Sequence, residues 1–250
     1  LVLRRQRQMC IRDRANGEVR EFDFYDAVIC SHGRLTYEQV QAHLDYASAL
    51  PVAPSKAKPV ARSVASLAKL HAAFRSARAR RGGLDFETRE GVIELTDGHV
   101  TSVNRVQRLT AHQIIEEAMI NANVCAARFI EGAEQCSLYR VHEAPDAMKL
   151  EELNQDLRSV GLRLPKGVPE PKVFMDLLDD LGQQANGWLY QQLVLRSMQQ
   201  AVYTPKNQGH FGLGLERYMH FTSPIRRYPD LLVHRAIKAI IAAKVKRLPN

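Results

Sequence analysis

Closely spaced cysteines are lacking in this sequence. Its four cysteines, Cys10, Cys30, Cys125 and Cys136, show no metal-type pairing, so a reduced, cytoplasmic protein is the expectation. No apolar run approaches the ~20 residues that a membrane helix needs, and no membrane partner is expected. No charged-apolar-small signal segment is read near the start. Internal repeats and low-complexity tracts are absent, which argues against solenoids and disordered arrays. Acidic residues are missing between Asp45 and Asp85, whereas Lys56, Lys58, Arg62, Lys69, Arg75, Arg78, Arg80 and Arg81 are all positive. That stretch reads equally as a solvated helix face or as a wall that tracks phosphates.

The 250 residues, 45% hydrophobic and 25% charged, have ordinary globular composition and suffice for a sizeable core. The net charge of +8 favours a polyanionic partner. Residues 1–14 weaken that inference. The run Gln8-Met9-Cys10-Ile11-Arg12-Asp13 looks like a translated sequencing adapter, so residues 1–14 are expected to be non-native. They hold five arginines and one aspartate, and without them the charge is +4.

Local patterns predict an α+β domain over residues 15–245. A strand is read over Glu21–Ser31 and broken at Gly33. Thr36 with Gln39 makes a capping box, which leaves Tyr37 as the first helical residue, half-buried or projecting into a cleft. Pro51, Pro54 and Pro59 predict an irregular connection before a helix over 62–81, which Gly82-Gly83 closes. Phe86 follows, as a core ring or one free to stack on a base. Asp97-Gly98 predicts a hairpin between Val92–Leu95 and Val100–Val106. Thr110 with Gln113 predicts a helix to about Gly132, buried along Ile115, Ala118, Met119, Ala122, Ala126 and Phe129. Its Glu116, Glu117, Asn121 and Asn123 are expected in solvent. Residues 140–205 read as largely helical, with a last helix there over Trp188–Val202; His142 receives no chemistry.

The sharpest stretch is His220-Phe221-Thr222-Ser223-Pro224-Ile225-Arg226-Arg227-Tyr228-Pro229-Asp230. Ser223-Pro224 predicts a helix start, with an apolar face along Ile225, Tyr228, Leu232, Ala236, Ala239 and Ala243 and a kink at Pro229. Arg226 and Arg227 then fall together at a helix N-terminus, a placement that favours an anion. Asp230 can orient one of them and leave the other facing outward for bidentate phosphate binding, with His234 on the same side. An amphipathic helix with a surface Arg-Asp pair fits the same spacing.

With Gly209-His210-Phe211-Gly212-Leu213-Gly214-Leu215 ahead of it, this stretch closely resembles the signature of the ribonuclease II/R family (the RNB catalytic domain). Arg196–Tyr203 and the Arg-Tyr-Pro-Asp within the signature resemble the R branch. The resemblance implies the C-terminal part of an RNB catalytic domain, a mixed sheet packed with long helices, with residues 246–250 starting a linker to an OB-type domain. It implies a processive 3′-to-5′ exoribonuclease that hydrolyses single-stranded RNA to nucleoside monophosphates with Mg²⁺. No small-molecule cofactor is expected. In the matching motifs, Arg226 corresponds to the catalytic arginine on the scissile phosphate. Glu116 corresponds to a residue placing the RNA 3′ end, Tyr37 to an aromatic near the terminal nucleotides, and Phe86 to one side of a base clamp. Ser223, Arg227 and His234 complete the expected RNA-binding set. The family's closely spaced metal-binding aspartates have no counterpart here, so no metal ligand is assigned and catalysis by this chain alone is not expected. A non-catalytic single-stranded RNA-binding module is the alternative.

Overall fold

The computed structural model describes residues 3–13, 16–86, 91–105, 108–159, 161–164, 170–184 and 186–246; of residues 3–13, 105 and 244–246 only the backbone is described. Strand β1 (Leu3–Asp13) pairs antiparallel with β2 (Val19–Cys30), Leu3 lying opposite Cys30. Residues 3–13, set aside as non-native, therefore supply a strand.

Helix α1 (Tyr37–Tyr46) starts as read. The Gln39 amide donates to Thr36 Oγ1 (3.3 Å) and the Thr36 amide to Gln39 Oε1 (2.9 Å). Helix α2 (Pro54–Arg80) starts eight residues before the expected point. Pro54 is its first residue, where a fixed φ suits the helix and no amide is missed, so an apparent breaker is an initiator. Gly82 (φ +75°) ends α2 as read, and a β-carbon there would lie 2.4 Å from the Lys172 amide nitrogen.

Strands β3 (Gly91–Thr96) and β4 (His99–Arg105) form the expected hairpin, with Asp97 and Gly98 both at positive φ. Helix α3 (Thr110–Glu131) follows. Its cap is Leu109, whose amide donates to His112 Nδ1 (3.2 Å), not the expected Thr110. Then come β5 (Tyr139–Val141), α4 (Ala147–Arg158), α5 (Pro171–Gly182), α6 (Gly187–Ser197), β6 (Val202–Thr204) and α7 (Tyr228–Lys246). Helix α6 stops short of Val202 because 202–204 pair with β5.

The expected mixed sheet is absent among the described residues. Three separate two-stranded antiparallel ladders take its place, β1-β2, β3-β4 and β5-β6. Two apolar clusters hold the helices together. One joins Phe24 of β2 to Cys125, Ala126 and Ile130 of α3, Met219, Phe221, and Val233 and Ile237 of α7. The other joins α4, α5 and α6 through Leu153, Leu157, Phe174, Leu181 and Val194, with Leu84 against them.

Two predicted stripes are rotated in part. On α3 the expected Ala122 and Ala126 are buried, but with them lie Ile114, Glu117, Ile120, Asn123, Cys125, Ala127 and Ile130, while Ile115 and Met119 are exposed. On α7 they are Asp230, Val233, Ile237 and Ile240, and Ile225 is wholly exposed. Helix α7 also starts four residues after Pro224. Pro229 is its second residue, a position with no helical acceptor to miss, so the expected kink has no cause. Of the expected linker, 246–250, only Lys246 falls within the described residues; Val106 of the expected strand 100–106 lies outside them.

Candidate nucleic-acid interface

Residues 221–227 are clamped from two helices. Asn123 of α3 is buried, and its Oδ1 accepts the amides of Phe221 (2.8 Å) and Thr222 (3.2 Å) while Nδ2 donates to the Tyr218 hydroxyl (2.9 Å). From α7, the fully buried Asp230 takes the Ser223 amide (2.7 Å) and Arg227 Nη2 (2.8 Å) on one oxygen, Oδ1. The amides of Arg226 and Arg227 turn back to the Ser223 carbonyl, at 3.3 and 3.0 Å. His234 lies flat on Phe221, ring centroids 4.3 Å apart, with Nε2 2.9 Å from the Phe221 carbonyl oxygen.

Arg227 is thus the guanidinium that Asp230 holds. Arg226 is exposed and has no carboxylate partner among the described residues. A rigid turn therefore presents one paired and one unpaired cation.

A second group sits at the start of α3. Tyr37 stacks on His112 at 4.0 Å, and Gln41 Oε1 accepts the Ala111 amide (3.1 Å), fixing α1 to α3. One turn along, Glu116 joins a charge-balanced chain of three arginines and three carboxylates. Arg78 Nη1 donates to Glu116 (2.9 Å) and to the buried Glu117 (2.9 Å); Arg108 donates to Glu116 (2.6 Å) and Asp85 (2.5 Å); Arg75 closes the chain on Asp85. Burial pulls Arg78 down, yet its hydrogen bonds to Glu117 and Glu116 outweigh it and raise its pKa. Burial pushes Asp85 up, yet Arg75 and Arg108 bring it below the usual carboxylate value.

Phe86, next to Asp85, is half-buried against the cluster around Leu84. The Gly209–Leu215 loop sets that segment. Leu84 N–H donates to the Gly212 carbonyl (2.8 Å), and Arg81 Nε donates to that of Leu213 (2.9 Å). His142, given no chemistry from sequence, anchors the loop. Its Nδ1 accepts the Gly212 amide (2.8 Å), so Nε2 must carry the proton facing the Gln199 carbonyl (2.8 Å).

Arg108 joins Glu116 to Asp85, the neighbour of Phe86, and Tyr37 stacks on His112, which precedes Glu116 by one turn of the same helix. Asn123 ties the Ser223–Arg227 turn to the same helix, two turns beyond Glu116, or about 10 Å along the axis. Arg226 is exposed, and among the described residues it forms no ion pair with Glu116. Sequence reading missed Arg78, Arg108, His112, Asn123 and Tyr218. Arg78 was hidden in a positive run, and its one clue was the glycine pair: Gly83 leaves room for the Arg78 side chain, which a β-carbon would approach to 2.7 Å.

A divalent ion does not fit these residues. Among those described, no three His, Cys, Asp or Glu side chains gather to hold one, and Asp85, Glu116, Glu117 and Asp230 all bind arginine.

The sequence model of one domain family, described as the RNB domain, matches residues 8–243. The chain belongs to the RNB domain family. This RNB chain is 40% identical over 230 residues to Ribonuclease R of Escherichia coli (strain K12), and 42% identical over 234 to that of Vibrio parahaemolyticus. It spans 28% of the length of each, although 91% and 93% of its own residues align. Mycoplasma genitalium RNase R, solved with ribose-methylated single-stranded RNA, overlays with a TM-score of 0.87 at 25% identity, covering 98% of this chain and 39% of that one. The similarity thus runs through both clusters and the signature turn. No helix among the described residues is long and apolar enough to cross a membrane.

Proposed function

We propose that this RNB chain is the RNA-end-holding and phosphate-contacting part of a 3′-to-5′ hydrolytic exoribonuclease acting on single-stranded RNA and releasing nucleoside monophosphates. The observation that carries this reading is the division between Arg226 and Arg227. Asp230 neutralises Arg227 inside the turn, so Arg226 alone is free to lay its planar fork on a phosphate. A cation fixed there opposes the charge that builds on a phosphate as its ester bond breaks. Tyr37, already stacked on His112, offers its other face to a terminal base, and the half-buried Phe86 offers its free edge. Stacking and phosphate contact both ignore base identity, as a degradative enzyme requires. Glu116, held by Arg78 and Arg108, is positioned to accept a ribose hydroxyl. No three candidate ligands gather among the described residues, so on this reading the Mg²⁺ that hydrolysis would use is held by other residues of the parent enzyme, and activity is proposed for that enzyme.

That no such ligand set gathers among the described residues favours a second reading of the chain taken by itself, a single-stranded RNA-binding module without turnover. One experiment serves both. The purified 250-residue chain is mixed with 3′-tailed RNA and Mg²⁺, and duplex DNA is added as competitor. Salt-sensitive binding to single-stranded RNA without mononucleotide release supports this division of labour. Release of mononucleotides, or preference for the DNA duplex, contradicts it.

A further inference from the structure

A cleft of about 560 Å³ lies on a different side of α3 from Glu116 and Asn123. At 100° per residue its α3 wall, Asn121, Val124 and Arg128, is turned about 120° from Glu116 and Asn123. Four guanidiniums line it: Arg20 of β2, Arg80 and Arg81 from the end of α2, and Arg128. Glu18 is the one carboxylate in the lining, and among the described residues none of the four arginines has an ion-pair partner. Val19, Val124 and Leu215 supply an apolar wall.

The cleft is built rather than incidental. Gly17, at φ +79°, lies so close to α2 that a β-carbon would sit 2.3 Å from the Ala73 carbonyl oxygen. Arg80 donates to the Asn16 carbonyl, which pins that turn down. Arg81 spends Nε on the Leu213 carbonyl, and its Nη2 is buried without a hydrogen-bond partner. A buried guanidinium nitrogen left unpaired is costly. An anion reaching it from the cleft offsets that cost.

We propose that this cleft binds a small phosphate ester of nucleotide size, its phosphate on Arg81, Arg20 and Arg128 and its organic part against Val124 and Leu215. The volume falls in the range of small-ligand sites. Guanidinium forks suit phosphate better than monovalent anions. The site is separate from the turn that carries Arg226, so RNA-end binding and this binding are lost independently.

Isothermal titration of the full chain with adenosine 5′-monophosphate, inorganic pyrophosphate and adenosine, at matched ionic strength, tests it. Saturable one-to-one binding of the monophosphate, with adenosine silent, is expected. Pyrophosphate binding as tightly as the monophosphate would mean an anion site without an organic subsite and would overturn the size assignment. The R20Q/R128Q double variant changes two exposed side chains and is expected to weaken binding at least tenfold. An R62Q/K69Q variant lowers the net charge equally and is expected to leave the affinity within twofold. Equal losses in the two variants would reduce the effect to general electrostatics and overturn the site. Binding of RNA oligonucleotides alone, with no small phosphate ester bound, would also overturn it.

Discussion

Asp230 Oδ1 accepts both the Ser223 amide at 2.7 Å and Arg227 Nη2 at 2.8 Å. One buried oxygen therefore sets the backbone turn and consumes one of two adjacent arginines. The other arginine is left free because its neighbour is spoken for.

Breaking the pair from the acidic side should be severe. Asp230→Ala leaves the Arg227 guanidinium without its carboxylate inside the turn, a change that typically costs ~3–5 kcal/mol. Urea denaturation of the chain should show a stability loss of that order. A loss below about 1 kcal/mol would mean that Asp230 does not hold the turn.

Asn123→Ala removes the acceptor of two signature-turn amides and a donor to Tyr218. Each buried group left unsatisfied costs roughly 1–3 kcal/mol. We expect a lower melting temperature together with weaker RNA binding. Asn123→Asp keeps the acceptor and should recover part of the loss.

Three histidines around the Gly209–Leu215 loop predict acid sensitivity. Burial pushes His210 down to about 3 and His220 down to about 4, and it also lowers His142. The folded state thus keeps them neutral while the unfolded chain, with ordinary values near 6.5, takes up protons. Their contribution is intact above pH 6.5 and is lost progressively as the pH falls towards 4 and 3. The melting temperature should be level from pH 8 to 7 and decline below 6.5. His210→Gln should make that decline shallower, and an unchanged slope would remove His210 from the account.

In the full-length enzyme, Arg226→Lys keeps the charge and loses the fork. Turnover should fall by roughly 10²-fold, the usual scale for one lost transition-state donor, with RNA affinity changed far less. Phe86→Ala should leave longer limit products, read on a sequencing gel.

Much of this was legible in the sequence, at particular places. The capping box at Thr36, the Asp97-Gly98 turn and the helix end at Gly82 are local chemistry, and each appears as read. The Arg226/Arg227 division was reachable because i,i+3 spacing joins Arg227 to Asp230. The rotated stripes were not reachable. Ile114 and Ile115, or Leu232 and Val233, offer two equally apolar registers, and the choice fell to polar groups with tertiary partners: Glu117 with Arg78, Asn123 with the 221–222 amides, Asp230 with Ser223. Helix starts failed at prolines for a related reason. Whether Pro54 or Pro229 breaks or begins a helix depends on which turn it enters, and packing decides that.

The central claim is that Arg226 contacts RNA phosphate while Arg227 serves the fold. The most direct test is the salt dependence of single-stranded RNA binding for Arg226→Gln and Arg227→Gln, with melting temperatures measured alongside. Arg226→Gln should lower affinity and reduce the slope of log K against log salt by about one contact, with the melting temperature unchanged. Arg227→Gln should chiefly lower the melting temperature. An Arg226→Gln protein with the parent's affinity and slope would contradict the account.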